Sequence, residues 1–195
     1  WPEDAEVAEN VTITGEEGTV IAAGEGINKI VATNITVDNV DFTAAKGNTS
    51  SAYIALQVIG SGTFKNCNIE GSYGVRMSDA VGDVTFENCV ITGEVYAVHF
   101  NGSGKADTSL AHAGKVTLDG CTLSGWTSFG NAGGVDIEDC TFVEHEKYNT
   151  IRFYQDATIV GTTVNPQTSI EINDTTENVT VTVDSTSVNG KPSVL

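Results

Sequence analysis

The sequence is poor in positive charge. Nine Lys and Arg stand against 26 Asp and Glu, a formal charge of −17. A surface this acidic excludes nucleic acid as a partner, because binding phosphates needs concentrated positive charge, and it excludes an anionic membrane surface for the same reason. No run of 18 apolar residues is present, which excludes a membrane-spanning helix, and no basic-plus-apolar leader opens the chain. A chain that begins at Trp1 and runs into the acidic stretch Glu3 to Glu9 reads as a trimmed mature fragment, so the missing leader does not argue for the cytosol. Prolines number three (Pro2, Pro166, Pro192), all outside the strands proposed below, and no amphipathic helix is visible. Paired Cys-x-x-Cys spacings are also absent: Cys67, Cys89, Cys121 and Cys140 lie 22, 32 and 19 residues apart, which excludes a structural zinc site of the usual kind.

What the chain does contain is a phrase of eight residues that returns, most legibly as Val84-Thr-Phe-Glu-Asn-Cys-Val-Ile91. It recurs at Ile35 to Phe42, Gly62 to Ile69, Val116 to Leu123, Val135 to Phe142, Ala157 to Val164 and Val181 to Val188. Seven copies at intervals of 19 to 32 residues are the signature of a solenoid. Strand side chains alternate between faces, so Val84 and Phe86 face one way and Thr85 and Glu87 the other. The run breaks at Asn88, and that place holds Asn39, Asn66, Asn88, Gly120, Asp139, Gly161 and Ser185 in the seven copies. These residue types tolerate a bend or a left-handed conformation. Past the bend, the next column reads Val40, Cys67, Cys89, Cys121, Cys140, Thr162, Thr186: small, mostly apolar, and suited to an interior stack. The four cysteines are therefore expected as reduced core thiols, with a Cys67–Cys89 or Cys121–Cys140 disulfide as the alternative.

A third short strand follows in most repeats, at Tyr73 to Met77, Tyr96 to Phe100, Thr150 to Phe153 and Ser169 to Ile172. Strand, bend, strand, turn, strand and loop make one coil of about two dozen residues. With its bend column of Asn and its stacked interior side chains, the sequence resembles the right-handed parallel β-helix superfamily, the pectate-lyase-like proteins, over about residues 11 to 190. The resemblance implies an all-β, right-handed, single-stranded parallel β-helix of about seven coils. It does not by itself fix a function, since that fold carries lyases, hydrolases, adhesins and stalks.

One domain over residues 1–195 is expected, with 1–34 as an irregular first coil or N-terminal cap containing strands at Val11 to Thr14 and Thr19 to Ala23 and a link at Ile27 to Val31. The phrase persists almost to the last residue, which suggests further domains of the same polypeptide or a covering partner. Insertions at 43–51 and 101–115 are too polar and Gly-rich to be strand and read as loops.

Chemistry belongs to the outward columns, because the inward ones are committed to the core. A Thr column (Thr36, Thr63, Thr85, Thr117, Asp136, Thr158, Thr182) is expected from strand propensity. Beside it, Glu87, Asp119 and Glu138 would stack as three like charges, which either splay into water or hold Ca²⁺ between them. On the third strand the outward column reads Gln57, Arg76, His99, Gly130, Arg152, Glu171, beside a column of small residues (Ala55, Gly74, Ala97, Ser128, Thr150, Ser169) that would form a shallow trough. The only two arginines and one of three histidines share this strip. A guanidinium holds a carboxylate with a planar fork, and the resemblance implies that this strand face touches a glycan chain, here an acidic one. Trp126, in the Gly125-Trp-Thr turn, is the best exposed ring for stacking on a sugar.

Glycoside hydrolysis needs two carboxylates about 5 to 10 Å apart, and the strip offers only Glu171 at its edge. A lyase would draw on Arg76, His99 and Arg152 with Ca²⁺ at Asp79 or Asp83. The residues favour a non-catalytic module over an enzyme: a secreted or cell-surface recognition or spacer unit, with no required cofactor, Ca²⁺ as an optional one, and a glycan or host-surface partner. A bare adhesin stalk is the remaining alternative.

Overall fold

A computed structural model describes residues 8–47, 53–77, 82–100, 114–130, 132–172, 179–188 and 191–193, with side chains described through residue 187. The insertion at 101–115 falls almost wholly outside these residues, as do the tip of the 43–51 insertion and Asp79.

Among the described residues there are twenty strands and no helix. They join in one sheet that winds as a parallel β-solenoid of about seven turns. Each copy of the phrase lies in register on the next. Thr12, Thr36, Thr63, Thr85, Thr117, Asp136, Thr158 and Thr182 pair in sequence down the first face. Such direct stacking puts a residue of one coil about 4.8 Å from its counterpart in the next.

The break in alternation is a left-handed residue in every copy. Asn39, Asn66, Asn88, Gly120, Asp139, Gly161 and Ser185 all have φ between 49° and 61°. Only Gly adopts this conformation without cost, and Asn and Asp come next because their short side chains bond locally. Some of these side chains also bind the coil before: Asn66 Nδ2 donates to Asp38 Oδ1 at 2.8 Å and Asn39 Nδ2 to the Gly15 carbonyl at 3.0 Å.

The column after the bend has a second reason to be Cys or Thr. The Sγ–H of Cys67, Cys89, Cys121 and Cys140 donates to the carbonyl two residues back at 3.1 to 3.4 Å, and Thr162 and Thr186 do the same through Oγ1 at 3.0 Å. The same atoms accept amides from the coil before: Cys121 N–H donates to Cys140 Sγ, Cys140 N–H to Thr162 Oγ1 and Thr162 N–H to Thr186 Oγ1, at 3.3 to 3.4 Å. All four thiols are free and buried. Hydrogen bonds with Cys121 and Cys67, together with burial, push the Cys89 thiol up and keep it neutral.

The interior is filled by stacks of like side chains. Phe64 lies on Phe86 with ring centres 5.2 Å apart, and Phe129 on Phe153 at 5.6 Å, all four fully buried. Residues 8–34 form a coil in register with the next, pairing Thr12 with Thr36, Val20 with Asp41 and Ile27 with Ile54. The segment expected as a link, Ile27 to Val31, is the start of a strand that runs on through the phrase to Asp38. At the other end Lys191–Ser193 folds back antiparallel on Thr186–Val188 and covers that strand's outer edge.

Candidate functional site

The third face gathers both arginines, His99 and a row of aromatic side chains. Its register column reads Gln57, Arg76, His99, Ser128, Arg152, Glu171. The member from the fourth coil is thus Ser128, and not the expected Gly130. A bulge between Trp126 and Thr127 absorbs the difference in strand length, and Thr127 takes the inward place of Val98.

The first three members of the small column do not line a trough, while Thr150 and Ser169 farther along reach the surface. Ala55 and Ala97 are fully buried in the main core, and Gly74 is buried beside them: a Cβ there would meet the Ala97 carbonyl at 2.8 Å and Ile91 at 3.0 Å. Two successive residues, such as Ala97 and Val98, face inward where the chain turns the corner. That slip of one residue throws Tyr73 and Tyr96 into a smaller separate cluster with buried Ile54 and Val95, and Trp126 on the next coil pairs with Tyr96.

The result is a row of rings running along the solenoid axis. Tyr73 and Tyr96 have centres 4.9 Å apart, Tyr96 and Trp126 5.0 Å at 9° between planes, and Trp126 and Tyr148 6.3 Å at 12°. His99 packs on Tyr96 at 4.5 Å and against the edge of Tyr73 at 5.4 Å. Arg152 covers Trp126, its guanidinium carbon 4.6 Å from the ring centre. Trp126 therefore presents an edge to the outside, its faces being taken by Tyr96 on one side and Tyr148 and Arg152 on the other. The row was missed in the sequence because simple alternation puts Tyr73 on the same side as Val75. The signal that marks it is an aromatic at matching positions of three successive coils.

The two arginines differ in surroundings. Arg152 donates from Nε and Nη2 to one oxygen of Glu171, at 3.1 and 2.9 Å. Burial lowers its pKa, but the hydrogen bonds to Glu171 and Tyr154 outweigh that and raise it overall. Among the described residues no carboxylate pairs with Arg76, and its Nε is buried without a hydrogen-bond partner. His99 Nδ1 and Trp126 Nε1 are likewise buried and unpartnered. Burial, and then the charge of Arg76, lower the His99 pKa to about 4, so its imidazole is neutral at pH 7. Gln57, at the head of the column, is 8% exposed.

Glu87, Asp119 and Glu138 do stack on adjacent coils of the first face. They are not gathered into a cage: Glu87 pairs with Lys65 at 2.7 Å, and among the described residues no group of three or more His, Cys, Asp or Glu is placed to hold a metal ion. Like charges directly opposite on neighbouring strands repel, and Asp119 and Glu138 are exposed to water. An open hollow of about 410 Å³ lies on that face beside Lys115, Asp136, Thr158 and Thr182, away from the strip.

Comparison with family models, with curated proteins and with solved structures found no match for this chain.

Proposed function

We propose that this chain is a non-catalytic recognition module of the extracellular kind, and that its third face binds an extended acidic glycan. The observation that carries the reading is the gathering of both arginines of a strongly acidic chain, with His99, along one continuous row of aromatic rings. A linear polymer laid along the axis meets an aromatic ring on four successive coils, Tyr73, Tyr96, Trp126 and Tyr148, which suits a repeating ligand. Guanidinium groups supply attraction for carboxylate or sulfate, and the ring edges and hydroxyls of Tyr96 and Tyr148 supply contacts for sugar hydroxyls. Ca²⁺ is not required by this reading.

The test is binding of the purified protein to a panel of acidic and neutral polysaccharides, with and without Ca²⁺, alongside the Arg76→Ala/Arg152→Ala double variant. Binding confined to acidic polymers and lost in the variant supports the strip. Absence of binding to every polymer sinks the glycan reading and leaves a spacer. A lyase is the second reading, favoured by the neutral imidazole of His99 beside Arg76. It predicts an ultraviolet signal from unsaturated sugar products, which a binding module never makes.

A further inference from the structure

We propose that Arg76 and His99 form a subsite for one oxyanion group, carboxylate or sulfate, so that ligand charge is read at this pair and not at Arg152. The inference rests on the glycan reading for the identity of the whole ligand, but the subsite itself is argued from the two side chains.

Arg76 and His99 are register partners on successive strands, about 4.8 Å apart along the axis. Each has a buried nitrogen that no protein group hydrogen-bonds: Nε of Arg76 and Nδ1 of His99. Buried polar groups in folded proteins nearly always have partners, and two orphans on neighbouring rungs mark a place where an atom from outside completes the bonding. The missing atom must be an acceptor, since a guanidinium only donates. A carboxylate or sulfate carries several acceptor oxygens on one centre and can serve both nitrogens at once. Trp126 Nε1, a third buried and unpartnered donor, lies on the coil beyond, where Trp126 pairs with Tyr96.

Arg152 is the weaker candidate because its place is taken. Glu171 already accepts from Nε and Nη2, and the guanidinium is committed to the Trp126 ring. Arg76 has no such partner among the described residues. Among the described residues, His99 is walled by Tyr73 and Arg76 from the preceding coil, Tyr96 from its own strand and Ser128 from the coil that follows. The one charged group among these is Arg76, and its charge opposes protonation of the imidazole. An oxyanion set between them reverses that sign. Binding then draws a proton onto His99, and affinity rises as pH falls through the raised, anion-bound midpoint toward about 4.

The experiment follows the His99 imidazole resonances by NMR across pH 3.5 to 8 in the full chain. It is run alone, with sodium acetate, with sodium sulfate and with an oligouronide, for the wild type and for Arg76→Lys, Arg76→Gln and Arg152→Gln. The expected result is a saturable rise of about one unit or more in the His99 midpoint with anion, a tenfold change in proton affinity. Arg76→Lys keeps a charge but loses the Nε–H, and is expected to weaken binding about tenfold. Arg76→Gln abolishes the shift, and Arg152→Gln leaves it in place. The acetate and sulfate arms decide between the two oxyanions.

A His99 midpoint unmoved by saturating anion overturns the subsite, as does tight oligouronide binding that survives Arg76→Gln in a protein with unchanged thermal midpoint. If the oligouronide binds while the His99 midpoint stays put, the subsite falls and the glycan reading stands. If sulfate or acetate moves His99 and the oligouronide does not bind, the subsite stands and the glycan reading falls.

Discussion

The guanidinium of Arg152 lies 4.6 Å from the centre of the Trp126 ring and donates twice to one oxygen of Glu171. The carboxylate sits on the next coil in register, so it holds the guanidinium over the indole from one side. Glu171 is 44% exposed at its side chain, and a pair so open to water contributes little on its own. The contact with Trp126 should count for more. In a double-mutant cycle of Arg152→Ala and Trp126→Ala, followed by urea unfolding, the coupling is expected at about 0.5 to 1 kcal/mol, while Glu171→Gln costs under about 1 kcal/mol. A coupling of zero would mean that the cation and the ring merely lie near each other.

The column of Cys and Thr past the bend yields a test that separates shape from hydrogen bonding. Cys140 Sγ accepts the amide of Cys121 and donates to the Glu138 carbonyl. Cys140→Thr keeps both functions, as Thr162 shows on the next coil, and should change stability by less than about 1 kcal/mol. Cys140→Val has the shape of Thr but leaves the Cys121 amide buried without a partner, at a cost of about 1 to 3 kcal/mol. Equal unfolding midpoints for the two variants would show that the column is selected for size alone.

At Asn88 the backbone φ is +52°, and the side chain is exposed. Asn88→Gly removes the side chain and relieves the conformation, so it should be near neutral. Asn88→Ala keeps a Cβ in the left-handed region without the local hydrogen bonding of Asn, at about 1 to 2 kcal/mol. Gly120 and Gly161 hold the same place in later coils, each with φ near 60°. A Cβ at Gly120 would come 2.6 Å from Asn88 Oδ1, the movable end of an exposed side chain, so Gly120→Ala costs mainly the conformation, in full because Gly carries none of it. A smaller loss in Gly120→Ala than in Asn88→Ala, measured by thermal unfolding, would contradict this ordering.

These bends explain why so much of the fold could be read from the sequence. A left-handed residue is a strong local demand, met by few residue types, and it recurs at Asn39, Asn66 and Asn88 whatever the length of the loops between. Once that point is fixed in each coil, Thr85 must stack on Thr63 and Thr117. The third face is less legible, since no such marker sits on it. Arg76, His99, Arg152 and Glu171 fall in the column assigned to them, because each follows directly on an inward apolar residue. Gly130 was assigned there in place of Ser128 because the fourth coil carries a bulge at Trp126, and nothing in its residue types announces a bulge. The aromatic row is hidden by the corner at Ala97 and Val98, where both residues point inward and the alternation changes phase. Tyr73 and Tyr96 then leave the main core for a second cluster, in which Tyr73 is buried and Tyr96 half-buried, where a strict two-residue period would place both beside Val75 and Val98.

His99 ties this face to pH. Its pKa is lowered to about 4, first by burial and then by Arg76, while in the unfolded chain it titrates near 6.5. The unfolded state therefore takes up the proton first as pH falls. Stability from this group is fully present above pH 6.5, declines between about 6.5 and 4, and reaches its floor below 4. The full change is on the order of 3 kcal/mol, since the shift spans about 2.5 pKa units at about 1.4 kcal/mol each. Acidic side chains also titrate toward the lower end of this window, so the informative quantity is the difference between wild type and His99→Asn in urea unfolding at half-unit steps from pH 4 to 8. That difference should slope with pH below 6.5 and be flat above it. A wild-type curve parallel to that of His99→Asn throughout would show that His99 titrates as freely in the folded chain as in the unfolded one.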